Sequence, residues 1–285
     1  MADTLSIRRI GIIGTGRVAR ALALGFSRHA PVTLWGRSPD KLAAIEGVEA
    51  AETCAALAAR ADVIAICVAD DAIATVADGL ARTASFAHAP LVFHVSGRSG
   101  AALLAPLRDK GALTAAIHPA MTFTGDPAQE VQRMAGARFA ITAADPRVDA
   151  KAKEIVAMLG GEAVRITEEH RTLYHAALSH AANHLVTLIA GASDALRAAG
   201  VGDPGAFLTP LVQASLNNSL IGGFSALSGP LLRGDANTVR GHIAALNSAC
   251  PTVLPAYRTM ALATLDELER QGAMPQDALR EDLSR

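Results

Sequence analysis

Residues 175–184 read HAALSHAANH, three histidines and an asparagine in an otherwise apolar stretch. His180 and His184 stand four apart, a spacing that lets two imidazoles on one helix face hold a metal ion. The same residue types can also move a proton or polarise a carbonyl. At 100° per residue, Asn183 shares a helix face with Ala176, Ser179, Thr187 and Ala190, and His180 lies about 60° to one side. His184 falls about 100° to the other side and His175 roughly opposite His184, so the three rings do not converge on one ion. Position 181 is Ala rather than the glutamate of HExxH, and no further ligand lies nearby at metal spacing. No metal is expected. His184 is read as a buried histidine with a hydrogen-bond partner, while the small residues around Asn183 leave room for a ligand ring.

A second chemistry-bearing stretch is GIIGTGRVARALALGF. Gly14, Thr15, Gly16, Arg17, Val18 and Ala19 follow a strand-like run and open a helix-like one. Gly14 permits a tight turn, and Gly16 lets backbone N–H groups approach a pyrophosphate at the positive end of the helix. Ala19 in place of a third glycine still allows close helix–strand packing. The next strand ends at Gly36-Arg37-Ser38, about 20 residues on, where an NAD site wants a carboxylate for the ribose hydroxyl. A cation and a hydroxyl stand there instead, suited to a 2′-phosphate, so NADP(H) is favoured. Ser38 also reads as the cap of a helix beginning at Pro39.

Ligands of an open α/β sheet bind outside the carboxyl ends of its strands. Three such ends carry polar groups: Val68-Ala69-Asp70-Asp71, His94-Val95-Ser96-Gly97 and His118-Pro119. Val68, Ala69 and His94 are assigned to the cofactor, and Ser96 and Gly97 to the substrate. Asp70 or Asp71 is read as a helix cap. His118 is a candidate catalytic residue, biased to an extended conformation at its strand's exit by the following proline.

The elements that must position these residues follow from periodicity. Ile10–Ile13, Val32–Trp35, Val63–Val68, Leu91–Val95, Leu113–Ile117, Phe139–Thr142 and Ala163–Ile166 are predicted strands. Helical patterns such as Arg17–Arg28, Asp71–Thr83, Ala101–Lys110 and Arg147–Leu159 lie between them. That alternation predicts an α/β fold: a Rossmann-type, doubly wound parallel sheet over residues 1–165, followed by an all-α domain over 166–285. The 285 residues suit two domains, and 51% hydrophobic with 19% charged residues is a packed composition. A formal net charge of −1 gives no reason to expect nucleic acid or an anionic membrane as partner. Three scattered cysteines and a start without the order of a signal peptide point to the cytoplasm.

Thr172–Ser193 and Pro204–Leu232 contain no Asp, Glu, Lys or Arg. Their histidines, asparagines, serines and glycines argue against membrane spans. They are read as helices buried on nearly all sides, in part against a second subunit, which predicts a homodimer through the helical domain. Between these runs and the C-terminus lies Ser228-Gly229-Pro230 … Arg233-Gly234-Asp235. Asp235 reads as a helix cap, Ser228 as a cap of a turn beginning near Pro230, and Arg233 as a bidentate partner for a substrate carboxylate at a domain or dimer interface.

Taken together, GIIGTGRVARAL, HVSGRSGAALLAPL, AIHPAMTF, YHAALSHAANHL and ALSGPLLRGDANTVRGHIAAL resemble Rossmann-like oxidoreductases whose helical C-terminal domain is of unknown function. These belong to the wider set that includes 6-phosphogluconate and 3-hydroxyisobutyrate dehydrogenases and pyrroline-5-carboxylate reductase. The resemblance implies an NADP(H)-dependent oxidoreductase, and some members are similar to an alternative ketopantoate reductase of pantothenate synthesis. Several relatives use a helix lysine four residues before an asparagine as proton donor. If Asn183 matches that asparagine, Ser179 occupies the lysine position and becomes a substrate contact. All four lysines (Lys41, Lys110, Lys151, Lys153) precede the helical half, so no lysine from it serves as acid. The proton then comes from His180, His175, His118, a tyrosine such as Tyr174, or water. The leading expectation is reduction of a small 2-oxo acid, ketopantoate foremost, with Asn183 polarising the carbonyl and His180 or His118 giving the proton. An imine or other carbonyl reductase, or a non-catalytic NADP-binding sensor, is the alternative.

Overall fold

The computed structural model describes residues 7–38, 40, 45, 48–86 and 88–285. The helix predicted after Ser38 and the start of the chain lie outside the described residues. The protein divides into two compact units, Met1–Leu178 and Ser179–Arg285.

The first unit is organised by one sheet of eight strands among the described residues. They are β1 (Ile10–Ile13), β2 (Val32–Trp35), β3 (Glu49–Ala50), β4 (Val63–Ile66), β5 (Leu91–His94), β6 (Leu113–Pro119), β7 (Arg138–Ala143) and β8 (Glu162–Arg165). Their spatial order is β3-β2-β1-β4-β5-β6-β7-β8. Strands 3-2-1-4-5-6 form the dinucleotide-fold order, whose switch point is the crevice beyond the carboxyl ends of β1 and β4. The helices of this unit are α1 (Arg17–Phe26), α2 (Cys54–Arg60), α3 (Ile73–Thr83), α4 (Ala105–Arg108), α5 (Pro127–Met134) and α6 (Pro146–Met158).

A period of two explains why apolar runs became buried strands. Ile10 and Ile12 of β1, Val63 and Ala65 of β4, and Leu91 and Phe93 of β5 enter one core with Leu22 and Phe26 of α1 and Ile155 of α6. Ile13, Ile64, Ile66 and Val92 point the other way, into a second core with Leu57 of α2 and Ile73 and Leu80 of α3. Full burial of a side chain such as Phe26 is worth about 1.5–3 kcal/mol, so the two layers fix the strand order firmly. Asp-Pro pairs start two of the helices of this unit: Asp126 caps α5 and Asp145 caps α6, each with proline in the first turn.

The sheet is parallel except at β6–β7. The connection after β6 carries α5, which packs on α1, and returns the chain where β6 leaves the sheet, so Pro119 faces Phe139 and β7 runs backwards. The two-residue β3 and helices α2 and α5 escaped the sequence pattern because they are short.

Helix α7 (Arg171–Ala198) begins in the first unit and continues into the second. The second unit adds α8 (Pro204–Gly222), α9 (Pro230–Arg233), α10 (Ala236–Ala249), α11 (Leu254–Arg270) and α12 (Asp277–Ser284). Its core is Val239, Ala261, Leu265, Leu268, Leu279 and Leu283. Among described residues, no helix is long and apolar enough to cross a membrane. The expectation that the charge-free helices are buried on nearly all sides is not met within one chain. Val186, Phe207, Leu211, Leu220 and Ile221 all stand exposed, Ile221 at 89%. These helices are apolar around most of their circumference, whereas the core of this unit draws its buried residues from one face each of α10, α11 and α12.

Candidate active site

At the switch point, β1 gives way to α1 through Gly14-Thr15-Gly16. Gly14 has φ +127°, and a side-chain carbon there would stand 2.3 Å from the Cys67 carbonyl oxygen at the end of β4. Only glycine fits. Gly16 is different: no described residue lies within 4 Å of where its Cβ would be. Gly16 is the N-cap of α1, with no side-chain cap and no acidic residue in the first turn. The helix therefore presents uncapped N–H groups and its positive end to open space. Ala19 is fully buried beneath the turn.

A cavity of about 400 Å³ opens there. Gly14, Thr15 and Gly16 line it with Arg37 and Ser38 after β2, and Cys67, Val68 and Ala69 after β4. Trp35, Ala72 and Thr75 complete much of the wall, and no carboxylate contributes to it among the described residues. Arg37 and Ser38 are exposed and make no hydrogen bond or ion pair with described residues. The Cys67 thiol is pushed up to about 12 by burial, which leaves it an inert wall group.

A second polar group lies where β5 and β6 end and α7 begins. His118 Nδ1 and the Tyr174 hydroxyl are 2.8 Å apart. The ring of His175 meets His118 edge-on, with centroids 6.2 Å apart. Gly97 fits against both imidazoles, since a Cβ there would stand 2.6 Å from His175 and 3.0 Å from His118 Nε2. Beneath Tyr174 lies Arg171, 1% exposed, its guanidinium 5.9 Å from the ring centroid. Arg171 Nε donates to Thr142 Oγ1 at 2.8 Å, while Nη1 is buried without a partner among the described residues. Burial, then the Arg171 charge and His175, hold His118 down to about 4, so it is neutral at pH 7. Burial raises the Tyr174 phenol while Arg171 opposes the rise. The pair is thus a phenol and a neutral imidazole joined by one proton, an arrangement able to hand a proton on.

His94, fully buried, is tied on both nitrogens. Nδ1 accepts from Ser96 N at 3.2 Å, and Nε2 lies 2.8 Å from the Gly100 carbonyl, which fixes the proton on Nε2. Burial is the main cause that lowers it to about 4. Ser96, 2% exposed, donates its hydroxyl to Asp70 Oδ2 at 2.8 Å, and Arg98 pairs with Asp70 and Asp71.

In the second unit, His180 and His184 are exposed on α7, with Nδ1 atoms 3.1 Å apart. Asn183 is exposed and Ser179 half-buried on the same helix, and Arg233 is exposed at the end of α9. Among described residues, no three His, Cys, Asp or Glu side chains are grouped to hold a metal ion. Asp235 caps α10, accepting from Thr238 N at 3.0 Å. Pro230 opens α9 behind Gly229, not behind a Ser228 cap.

The Rossmann-like domain family matches residues 4–119, and the domain of unknown function DUF2520 matches residues 137–264. The chain is a Rossmann-like domain followed by a DUF2520 domain. No curated protein matches it significantly. Among solved structures it is similar to protein TM1727 from Thermotoga maritima, with 22% identity over 93% of this chain and 100% of that one, TM-score 0.68. A reductive aminase from Aspergillus terreus, solved with NADPH and ethyl-5-oxohexanoate, is 18% identical over 97% of this chain and 99% of that one, TM-score 0.69. An imine reductase from Myxococcus stipitatus, solved with NADP+, is 19% identical over 97% and 100% of the two chains, TM-score 0.65. At these identities the likeness establishes the shared fold.

In the Rossmann-like domain, seven residues chosen from sequence for the cofactor line one cavity: Gly14, Thr15, Gly16, Arg37, Ser38, Val68 and Ala69. Arg17 and Val18 do not. Arg17 donates instead to the Phe123 carbonyl, and Val18 packs on the core. His94 and Ser96 are corrections: with their polar atoms spent on Gly100, Asp70 and neighbouring backbone, they hold the β5 exit loop and face no ligand space. Asp70 is likewise no helix cap. Gly97 and His118 do come together. In the DUF2520 domain, His184 is exposed with His180 as its partner, which corrects the expectation of a core histidine. Sequence reasoning missed Arg171, although it is the last charged residue before the charge-free run that opens at Thr172.

Proposed function

We propose that this chain is an NADP(H)-dependent reductase of a small carbonyl or imine substrate. The observation that carries the reading is the cavity at Gly14–Gly16, with an uncapped helix N-terminus on one side and Arg37 and Ser38, without a carboxylate, on the other. Those residues fit a dinucleotide carrying a 2′-phosphate: Gly16 leaves the approach to the helix open, and Arg37 supplies a fixed cation. When bound, the reduced nicotinamide supplies a hydride. The names of two structural neighbours, a reductive aminase and an imine reductase, support the same class.

The chain's own residues supply the proton. Tyr174 and His118 form the donor pair, and Gly97, lacking a side chain, leaves His118 Nε2 uncrowded. Asn183 is assigned to polarise the carbonyl, with Ser179 and Arg233 as substrate contacts and His180 as a second donor. Ketopantoate, reduced to pantoate, is the most specific substrate in this reading and rests on the family resemblance; the neighbours' names favour an imine as the other. The Rossmann-like domain, residues 1–165, is assigned to the cofactor. The helical region, 166–285, is assigned to substrate and to homodimer formation, supported by the exposed apolar side chains of α7 and α8. Cytoplasmic residence completes the reading. The test is differential stabilisation: NADPH raises Tm and NADH at equal concentration raises it much less. Equal shifts, or none, refute the cofactor assignment.

A further inference from the structure

Arg171 is a buried cation without a carboxylate partner within 4 Å among the described residues. Burying such a charge costs several kcal/mol unless the surroundings compensate it. Compensation here is partial: one hydrogen bond to Thr142 Oγ1, a long one to the Ala140 carbonyl at 3.5 Å, and the face of Tyr174. Nη1 has nothing among the described residues. Thr142 is itself fixed, since it donates to the Ile166 carbonyl. A group held this expensively directly beneath a phenol–imidazole pair has a consequence for that pair.

We propose that Arg171 is a positioning residue for the proton transfer, holding Tyr174 against His118 and fixing which of the two gives up the proton. The proposal rests on the reductase reading. A nearby fixed cation disfavours an imidazolium and favours a phenolate, so the phenol O–H donates to Nδ1 and the imidazole keeps its own proton on Nε2. When a substrate heteroatom takes the Nε2 proton, that N–H bond breaks and Nδ1 receives the phenol proton. His118 stays neutral throughout. The negative charge left on Tyr174 Oη lies beside Arg171 until solvent returns a proton.

The groups that face this cluster are few. Around Arg171 they are Thr142 and Ala140 of β7, Glu168 of the short turn before α7, and Tyr174. Around His118 they are Tyr174 and His175, with Asp70 and His94 acting at longer range. Asp70 is the acid among those acting on His118, and its own contacts are Ser96 and Arg98. Arg171 is therefore the charge whose removal changes the pair most.

The experiment follows the His118 imidazole by NMR titration in the wild type, Arg171→Met and Arg171→Lys, alongside kcat and KM. In Arg171→Met, His118 is expected to titrate higher by about one pH unit or more, and kcat to fall roughly 10- to 100-fold with KM little changed. Arg171→Lys keeps the charge, so His118 titrates near its wild-type position and part of kcat returns. If Arg171→Met does not fold, Thr142→Val releases the Nε bond, and His118 moves in the same direction by a smaller amount. An unmoved His118 in a folded Arg171→Met or Thr142→Val overturns the proposal, as do equal losses of kcat in Met and Lys variants. A wild type that neither binds NADPH nor turns over, with the titration shift present, overturns the reductase reading instead and supports the hold of Arg171 on the pair.

Discussion

Two glycines two residues apart are expected to fail in opposite ways. In Gly14→Ala, the new methyl meets the Cys67 carbonyl oxygen at 2.3 Å and its carbon at 2.8 Å, both backbone atoms just beyond the central strand β4. The φ of +127° adds strain for any L side chain. Overpacking and left-handed strain together cost about 4 kcal/mol, which lowers Tm by roughly 10 °C for a unit of this size. In Gly16→Ala, the φ of −71° is ordinary and no described residue lies within 4 Å of the methyl. Loss of a good N-cap residue costs about 0.5 kcal/mol, or about 2 °C. Yet that methyl stands in front of the uncapped N–H groups of α1, where a pyrophosphate must come close. NADPH affinity should fall at least about tenfold, equivalent to about 1.4 kcal/mol. Scanning fluorimetry reads the stability, and NADPH fluorescence titration reads the binding. A stable Gly16→Ala with wild-type NADPH affinity would refute the assignment of the cavity. A Gly14→Ala variant as stable as the wild type would refute the account of the turn.

Other outcomes follow from the same geometry. Arg37→Ala should weaken NADPH by about tenfold or more and leave NADH within about twofold, since only the former carries the 2′-phosphate; equal losses in competition titrations contradict it. Tyr174→Phe should lower kcat with KM and Tm nearly unchanged, and Asn183→Ala should do the same; steady-state kinetics with undiminished kcat removes the residue from the site. His94 is buried neutral with its folded value near 4 against an ordinary 6.5. Its stabilising contribution is complete above pH 6.5 and is lost as pH falls towards 4. By pH 5 the loss is about 2 kcal/mol, and His118 adds to it in the same direction. Urea midpoints at pH 7.5 and 5.0 that coincide would contradict this.

Much of the fold was legible because alternation is a local signal. Ile10, Ile12 and Ile13 reveal a strand buried on both faces, and glycines at 14 and 16 reveal the turn that follows. Strand-end position, in contrast, says that a residue is near the crevice and nothing about where its side chain points. His94 and Ser96 were misread for that reason. Parity along β5 supplies the missing signal, since Leu91 and Phe93 enter one core, Val92 the other, and His94 follows Val92 inward. Arg171 was missed because an arginine at a helix start ordinarily reads as solvated. Its partners, Thr142 and Ala140, lie about 30 residues away on β7, a pairing that only the folded sheet creates. His184 was placed in a core because its neighbours are apolar, but exposure depends on what packs over α7, which the helix's own sequence does not encode.

The central claim is hydride transfer from NADPH to a small carbonyl or imine. It is tested most directly by following NADPH oxidation at 340 nm with purified protein across a panel of 2-oxo acids, ketopantoate included, and cyclic and acyclic imines. The account predicts turnover with at least one member of the panel, lowered in Tyr174→Phe and strongly reduced with NADH. NADPH bound tightly and oxidised by none of them would contradict it.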